Sequence, residues 1–105
     1  MPRPFCSRRV ARHPVVAVFK PAGVPARELE EVVMTIDELE AIRFADRQKL
    51  YQEDAARRMG ISRSTFGRIL ESARRKVAEA LVEGKVLRIE GGPIRLDASG
   101  TLEPS

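Results

Sequence analysis

The stretch from Gln52 to Glu71, QEDAARRMGISRSTFGRILE, constrains the fold of this chain more than any other. Gly60 lies where a first helix would end, because glycine adopts the left-handed conformation of a helix C-cap at little cost. Ser62 follows as a candidate N-cap, whose hydroxyl can accept a hydrogen bond from a free amide of the next helical turn. The spacing therefore predicts a helix-turn-helix, the motif that places its second helix in the major groove of DNA.

The other residues of this stretch divide into an inner and an outer set. Ala56 is small enough to let the second helix cross closely, and five apolar residues supply the contacts between the helices: Ala55, Met59, Ile61, Phe66 and Ile69. The residues left to point outward are Arg63, Ser64, Gly67, Arg68, Glu71 and Arg75. Short side chains between arginines suit contacts with base edges and phosphates. A plain helical hairpin is the alternative, but the fit of so many positions to one template favours the helix-turn-helix.

Charge is unevenly distributed along the chain, around a net charge of +4. Residues 57–76 carry seven basic residues against the single acid Glu71, whereas residues 28–46 carry seven acidic residues against Arg43 alone. Residues 1–27 carry six basic residues and no acidic one. Basic charge is thus concentrated on an N-terminal arm and on the predicted reading unit, where a polyanion would be met. Two solvated faces are the alternative, and the coincidence with the motif favours nucleic acid.

A helix before the motif is predicted from the capping box T-I-D-E, with Thr35 as the N-cap and Glu38 reaching back to its amide. Its inward stripe should consist of Ile36, Leu39, Ile42 and Ala45. The residues expected to face water are Glu40, Arg43 and Asp46. This helix should fade between Asp46 and Lys49 and should brace the two helices of the motif.

The reading helix should continue well beyond the motif, from Ser62 to near Val82, until Gly84 ends it. Its apolar stripe at helical spacing consists of Phe66, Ile69, Leu70, Ala73, Val77, Ala80 and Leu81. Its basic surface is extended by Arg74, Arg75 and Lys76.

Short strands are predicted on both sides of the helices. The β-branched run Val15 to Phe19 should form one strand, and the alternating run Val86 to Glu90 another. Gly91 and Gly92 then turn the chain, so that Ile94 to Leu96 could return as a second strand of a ribbon. Because a lone two-stranded ribbon is marginal in water, we expect these segments to pair with Val15 to Phe19, in the same chain or in a partner chain. They are therefore the candidate surface for a homodimer.

These patterns predict a mainly α fold with a trihelical helix-turn-helix core and short flanking β-strands. Its parts are a basic arm and extended segment with a short strand over residues 1–34, the DNA-binding core over 35–83, a short β-ribbon over 84–96, and a flexible tail over 97–105. The arm could follow a DNA backbone or a minor groove, or it could serve only as a solubilising terminus. No apolar run approaches the length of a membrane span, and a cytoplasmic protein is expected.

Neither a metal site nor an active site is predicted. A closed zinc site needs four ligands, and Cys6 and His13 are two candidates of the usual types. Two chains meeting could supply four ligands, or the cysteine could sense redox conditions, but a packed or incidental cysteine is the simpler interpretation. The sequence shows no nucleophile–base pair, no paired carboxylates and no phosphate loop, so we expect neither an enzyme nor a cofactor.

Several segments together resemble one family of small predicted DNA-binding proteins, catalogued as domain of unknown function 134. They are the opening MPRP, FKPAGVP, TIDELEAIRFAD, SRSTFGRILESARRKVAEAL and EGKVLRIEGG, which cover nearly the whole chain up to Gly92. The helical part also looks like region four of the sigma-seventy class of transcription initiation factors, which reads promoter DNA. The resemblance implies a role in transcription and no catalytic residues. By the matched motif, the residues facing DNA would be Ser62, Arg63, Ser64, Thr65 and Arg68.

We therefore expect a sequence-specific DNA-binding protein that regulates transcription. Arg63, Ser64 and Arg68 should reach base edges, and arginine paired to guanine is the commonest specific contact. The phosphates should be held by Arg57, Arg58, Arg74, Arg75 and Lys76, while Gln52 is either a phosphate donor or a solvated amide. A homodimer reading two half-sites is expected, because one small reading unit gives limited affinity. The alternative is a protein-interaction module that binds RNA polymerase or another acidic partner through the same helix.

Overall fold

Three α-helices are the main elements of the described structure: α1 (Ile36–Ile42), α2 (Gln52–Met59) and α3 (Arg63–Glu83). The computed structural model describes residues 8–10, 18–92 and 94–96. A π-helical turn, Arg43–Arg47, continues α1 directly and ends before the loop to α2. The predicted mainly helical fold with short flanking strands is confirmed.

The ends of the helices follow the local rules that the sequence indicated. Thr35 and Glu38 form a reciprocal capping box, in which the Thr35 amide donates to Oε1 of Glu38 at 2.9 Å. Gly60 and Gly84 end α2 and α3 in the left-handed conformation, with φ of 73° and 67°. Ser62 caps α3, its Oγ accepting from the Thr65 amide at 3.1 Å. Such an N-cap side chain stabilises a helix by about 1 kcal/mol.

The main core lies where the three helices meet. Phe66 of α3 is fully buried against α2, where Ala55, Ala56 and Met59 are buried too. Phe44, whose position the sequence did not indicate, completes this cluster from the π-helical turn. Because two of the α2 contacts are alanines, α2 and α3 can approach closely, as predicted for the motif.

A three-stranded sheet packs beside the helices, in the order β2 (Val18–Phe19), β4 (Val86–Ile89) and β3 (Glu31–Met34). Strand β4 runs antiparallel to β2 and parallel to β3. The predicted pairing of the segment after α3 with the end of the Val15 to Phe19 run is confirmed within one chain; residues 15–17 lie outside the described residues. Strand β3 was not predicted.

The predicted β-ribbon over residues 84–96 is wrong. Strand β5 (Ile94–Leu96) pairs in parallel with β1 (Arg8–Val10) instead of returning onto β4. Gly91 and Gly92 both have positive φ, and the Gly91 carbonyl accepts from the Ile36 amide at 3.0 Å. This contact carries the chain past the start of α1. Residues 8–10 of the basic arm are therefore a strand, while residues 1–7 and 11–17 and the predicted tail over 97–105 lie outside the described residues.

Two predictions about which side chains face water are also wrong. Glu40 is only 4% exposed and Arg43 is half-buried, and the Arg43 guanidinium compensates the burial by donating two hydrogen bonds to the Glu40 carboxylate at 2.8 and 2.7 Å. Strand β1 also runs beside α1, so this helix has neighbours on more than one side. Leu81, expected in the buried stripe, is 77% exposed because the apolar contacts at the end of α3 are made by its neighbour Ala80.

Candidate nucleic-acid interface

The first turns of α3 present a polar face that the core leaves open. Ser64, Arg68, Glu71 and Arg75 are spaced by four, three and four residues, which places them on one side of the helix. All four are exposed, whereas Phe66 and Leu70 on the opposite side are buried. We call this surface, with Arg63 and Gly67 at its edge, the reading face.

A small hydrogen-bond network holds the start of the reading face. Ser62 donates its hydroxyl to Oγ1 of Thr65 at 2.9 Å while it accepts from the Thr65 amide. Arg68 makes only a long contact to this network, from Nη2 to Oγ1 of Thr65 at 3.4 Å. Ser62 and Thr65, both predicted to face DNA, are thus engaged in the helix cap. Arg63 and Ser64 are exposed beside it.

The arginines of the reading face keep their guanidinium groups available. Among residues 18–92, Arg63 and Arg75 have no hydrogen-bonding or ion-pair partner. Arg57 of α2 pairs with Asp54 at 2.9 Å across an exposed surface. Arg58 lies with its guanidinium carbon 6.0 Å from the centre of the Phe44 ring.

Arg74, a predicted phosphate contact, is bound instead to a carboxylate from the π-helical turn. Its Nη2 and Nε donate to the two oxygens of Asp46 at 2.7 and 3.1 Å. These hydrogen bonds lower the pKa of Asp46 and raise the pKa of Arg74. Both side chains remain about half exposed, so the pair is accessible to a competing anion.

Lys76 does not extend the basic surface as predicted. Its Nζ lies 2.9 and 3.2 Å from the two carboxylate oxygens of Glu38, and its side chain is only 25% exposed. Ser72 donates to the same carboxylate at 2.6 Å. Burial acts to raise the pKa of Glu38, but the hydrogen bonds from Ser72, the Thr35 amide and Lys76 outweigh it and lower this pKa. This cluster joins α1 to α3 and orients α3.

Gln52, the first residue of α2, borders the reading face at Gly67. A Cβ built on Gly67 would lie 3.6 Å from Oε1 of Gln52, and Gln52 itself is half-buried. A glycine inside a helix is less favourable than alanine by about 1 kcal/mol. The sequence indicated that Gly67 points outward, but only the structure places it beside Gln52.

An apolar groove lies near the C-terminal end of α3, between the sheet and helices α1 and α3. Its volume is about 640 Å³, and the apolar side chains around it include Phe19, Met34, Leu39, Val77, Leu81 and Leu87. Phe19 and Leu81 at its rim are largely exposed, as is the neighbouring Val82.

The described residues contain neither a candidate metal site nor a helix that could span a membrane. Within residues 18–92, no group of histidine, cysteine, aspartate and glutamate side chains could hold a metal ion, while Cys6 and His13 lie outside the described residues. None of the helices in the described part of the chain is long and apolar enough to cross a membrane.

Comparison with known proteins assigns this chain to a family. The family described as protein of unknown function DUF134 matches residues 1–97. The chain belongs to this family. The resemblance seen in the sequence to domain of unknown function 134 is thereby confirmed.

Three members of the group named UPF0251 illustrate the similarity. The protein from Moorella thermoacetica is 64% identical over 92 residues, which cover 88% of this chain and 62% of the relative. The protein from Prosthecochloris aestuarii is 54% identical over 92 residues, 88% of this chain and 59% of the relative. The protein from Dehalococcoides mccartyi is 55% identical over 98 residues, 93% of this chain and 84% of the relative.

The chain thus spans about three fifths of the length of the first two of these relatives. The names of these relatives state no activity, substrate or partner. No solved structure matches the chain.

Proposed function

We propose that the protein binds double-stranded DNA with the first turns of α3 in the major groove and regulates transcription as a sequence-specific binder. The observation that supports this most directly is the reading face, where Arg63 and Arg75 are exposed without a partner among residues 18–92. A helix held by the α2–turn–α3 geometry is the element that enters the major groove in this motif. The role is binding, with no catalytic step and no cofactor.

Base reading falls to Ser64 and Arg68, whereas Arg63, on the side of α3 toward α2, falls to the phosphate contacts. Arg68 gives up only a 3.4 Å contact to Thr65 when it turns toward a base, so little is lost on binding. Guanine presents two acceptors to an arginine, and a good bidentate pair contributes about 1–3 kcal/mol of discrimination against the wrong base.

Phosphate contacts fall to the residues that flank this row. Gln52 lies at the edge of the reading face and Arg75 on it, while Arg58 extends the basic surface onto α2. Arg57 and Arg74 join them only when a phosphate replaces their carboxylate partners, Asp54 and Asp46. Lys76 takes no part, because its ammonium group is held by Glu38.

Two copies acting as a homodimer would give the affinity that one short reading unit lacks. Leu81 lies thirteen residues after Arg68, about 20 Å along the helix axis. A twofold axis near Leu81 would hold the two Arg68 side chains up to about 40 Å apart, within reach of half-sites about 34–36 Å apart. The groove with its exposed rim at Phe19 and Leu81, together with the exposed neighbour Val82, is therefore the surface at which we place a second copy.

Sedimentation equilibrium tests this arrangement. Leu81→Glu should convert a dimer into a monomer, whereas Tyr51→Glu, which changes an equally exposed side chain away from the groove, should not. A wild-type monomer at micromolar concentration, or a dimer unaffected by Leu81→Glu, rejects this surface.

Selection of binding sites from random duplex DNA tests the proposed function. Affinity is then measured against salt for the selected site and for scrambled DNA. We expect a motif bound at least about a thousandfold more tightly than scrambled DNA. Both DNAs should lose affinity steeply with salt, because each neutralised phosphate contributes a slope of about −0.9.

Other outcomes of this experiment assign other functions. Equal binding to both DNAs indicates an architectural protein that does not read sequence. Absence of binding to either DNA at low salt rejects DNA binding, and the interaction module that binds RNA polymerase or another acidic partner becomes the function to test. A bacterial regulator of this kind would act in the cytoplasm, where the DNA lies.

A further inference from the structure

Gly67 is a glycine in the interior of a long helix, at a place where the backbone does not need one. Its φ is not among the positive values found at five other glycines, so any residue could adopt its conformation. Glycine is the least helix-favouring residue after proline, because it loses the most backbone freedom on folding.

Packing inside the protein does not require this glycine either. Among the described residues, the only heavy atom that a Cβ at Gly67 would meet within 4 Å, apart from its chain neighbours and the helix's own backbone, is Oε1 of Gln52, at 3.6 Å. That distance is an ordinary van der Waals contact. An alanine would therefore fit the folded protein and would strengthen the helix.

The missing side chain leaves bare helix backbone between polar groups. Arg63 lies one turn before Gly67, and the Gln52 amide borders it from α2. Gly67 thus lies beside the row Ser64, Arg68 and Glu71, on the side toward α2. In a helix-turn-helix, the first helix of the motif crosses the DNA backbone, so this side faces a phosphodiester strand and not the base edges.

We propose that Gly67 is a close-contact position, where a phosphate group of one DNA strand lies directly against α3 between Gln52 and Arg63. The inference rests on the proposed function and names a contact within it. The guanidinium of Arg63 and the amide NH₂ of Gln52 both donate hydrogen bonds to phosphate oxygens. A methyl group at residue 67 would push the phosphate away from both donors.

The test is Gly67→Ala, which should separate stability from binding. Its melting temperature should rise by roughly 4–8 °C, the shift expected for the better helix former in a domain of this size. Its affinity should fall at least tenfold for the selected site and for scrambled DNA alike, because every sequence carries the phosphate. Gly67→Leu should lower the affinity further.

Ala78→Gly is the matched control. Ala78 is exposed on the same side of α3, three turns further on, and lies beyond the reading face. This variant should melt at a lower temperature and bind both DNAs as the wild type does. Weaker binding by Ala78→Gly together with tighter binding by Gly67→Ala would mean that affinity follows helix stability, and this result overturns the proposal.

The remaining outcomes separate this inference from the proposed function. A loss of affinity by Gly67→Ala that is confined to the selected site assigns a base contact and overturns the phosphate contact. Unchanged binding by Gly67→Ala, with weaker binding by Arg68→Ala, overturns the inference and leaves the proposed function standing. Failure of the wild-type protein to bind any DNA at low salt removes both.

Discussion

The reading face and the side of the molecule that carries the sheet use their cations in opposite ways. On the reading face, Arg63 and Arg75 are exposed and have no partner among the described residues from 18 to 92. On the sheet side, Lys85 contacts three carboxylates and Arg88 is paired with Glu31. Those carboxylates raise the pKa of Lys85 and of Arg88.

The two regions show that composition alone does not indicate which basic residues are free to bind a polyanion. Both regions carry basic residues, but a cation that already has a carboxylate partner must lose it before it can bind a phosphate. Within residues 18–92, Arg63, Arg68 and Arg75 have no carboxylate partner to lose. In this part of the chain, the available basic residues are therefore fewer than the basic residues of the sequence, and they are concentrated on the first turns of α3.

The largest effect is expected from breaking the buried pair that orients the reading helix. Lys76→Met leaves the Glu38 carboxylate buried without its cation, and we expect a loss of about 2–3 kcal/mol in the free energy of unfolding. Urea denaturation at neutral pH measures it. The double variant Glu38→Gln with Lys76→Met should recover part of the loss, and a cost below about 0.5 kcal/mol for Lys76→Met would show that the pair contributes no more than a surface ion pair.

Arg68→Ala tests whether the exposed arginines differ in function from the paired ones. The variant should lose binding free energy on both DNAs, and the loss should be about 1–3 kcal/mol larger on the selected site than on scrambled DNA, because a base contact acts only on the right sequence. Arg88→Ala removes the same charge from the sheet side and should change neither affinity. Equal losses on both DNAs for Arg68→Ala would show that Arg68 contacts phosphate and reads no base.

The pKa of Glu38 predicts how stability depends on pH. Since this pKa is lower in the folded protein than its ordinary value of 4.5, the unfolded chain binds more protons as the pH falls. The stabilisation that the ionised Glu38 carboxylate gives the folded protein is fully present above about pH 4.5 and should be lost as the pH falls through the lowered pKa. Urea denaturation of wild type and Glu38→Gln from pH 7 to pH 3 measures this, and the difference between them should shrink on acidification. If the difference in free energy of unfolding between the two proteins stays constant from pH 7 to pH 3, Glu38 is not the source of the pH dependence.

Asp46→Asn should give the smallest effect. It removes the carboxylate partner of Arg74, so that this arginine becomes unpaired like Arg63 and Arg75. The change releases Arg74 toward a phosphate, so affinity for both DNAs should rise and the salt slope should steepen by up to about 0.9. Stability should fall by no more than about 1 kcal/mol, because the pair is exposed. Affinity measured against salt checks this, and in an Arg74→Ala background the same substitution should leave the slope unchanged.

The core of the motif could be predicted because its determinants are local. Gly60, Ser62 and Gly84 each act on the backbone within one turn, and Thr35 with Glu38 closes a capping box three residues long. The buried positions Phe66 and Ile69 follow the helical period, as do Ala55 and Met59. Local rules of this kind need no knowledge of what the helix packs against.

The predictions that were wrong depend on partners far away in the sequence. Lys76 and Glu38 are 38 residues apart, Arg74 and Asp46 are 28 apart, and both pairs decide which cations of α3 remain available. Leu81 fits the helical stripe, but whether it is covered depends on how far the neighbouring elements reach along α3. The spacing of apolar residues along a helix indicates neither the ion-pair partners of its cations nor how far the neighbouring elements extend.

The sequence by itself determined the helix ends, the facing sides of α2 and α3 and membership of the family, since these follow from short-range backbone preferences and from motifs read along the chain. Only the tertiary structure decided which basic residues are exposed, that β5 pairs with β1, and that Gly67 lies against Gln52. The physical reason is that ion pairing, strand pairing and side-chain burial depend on distances between segments, which the folded packing of α1, α3 and the sheet sets.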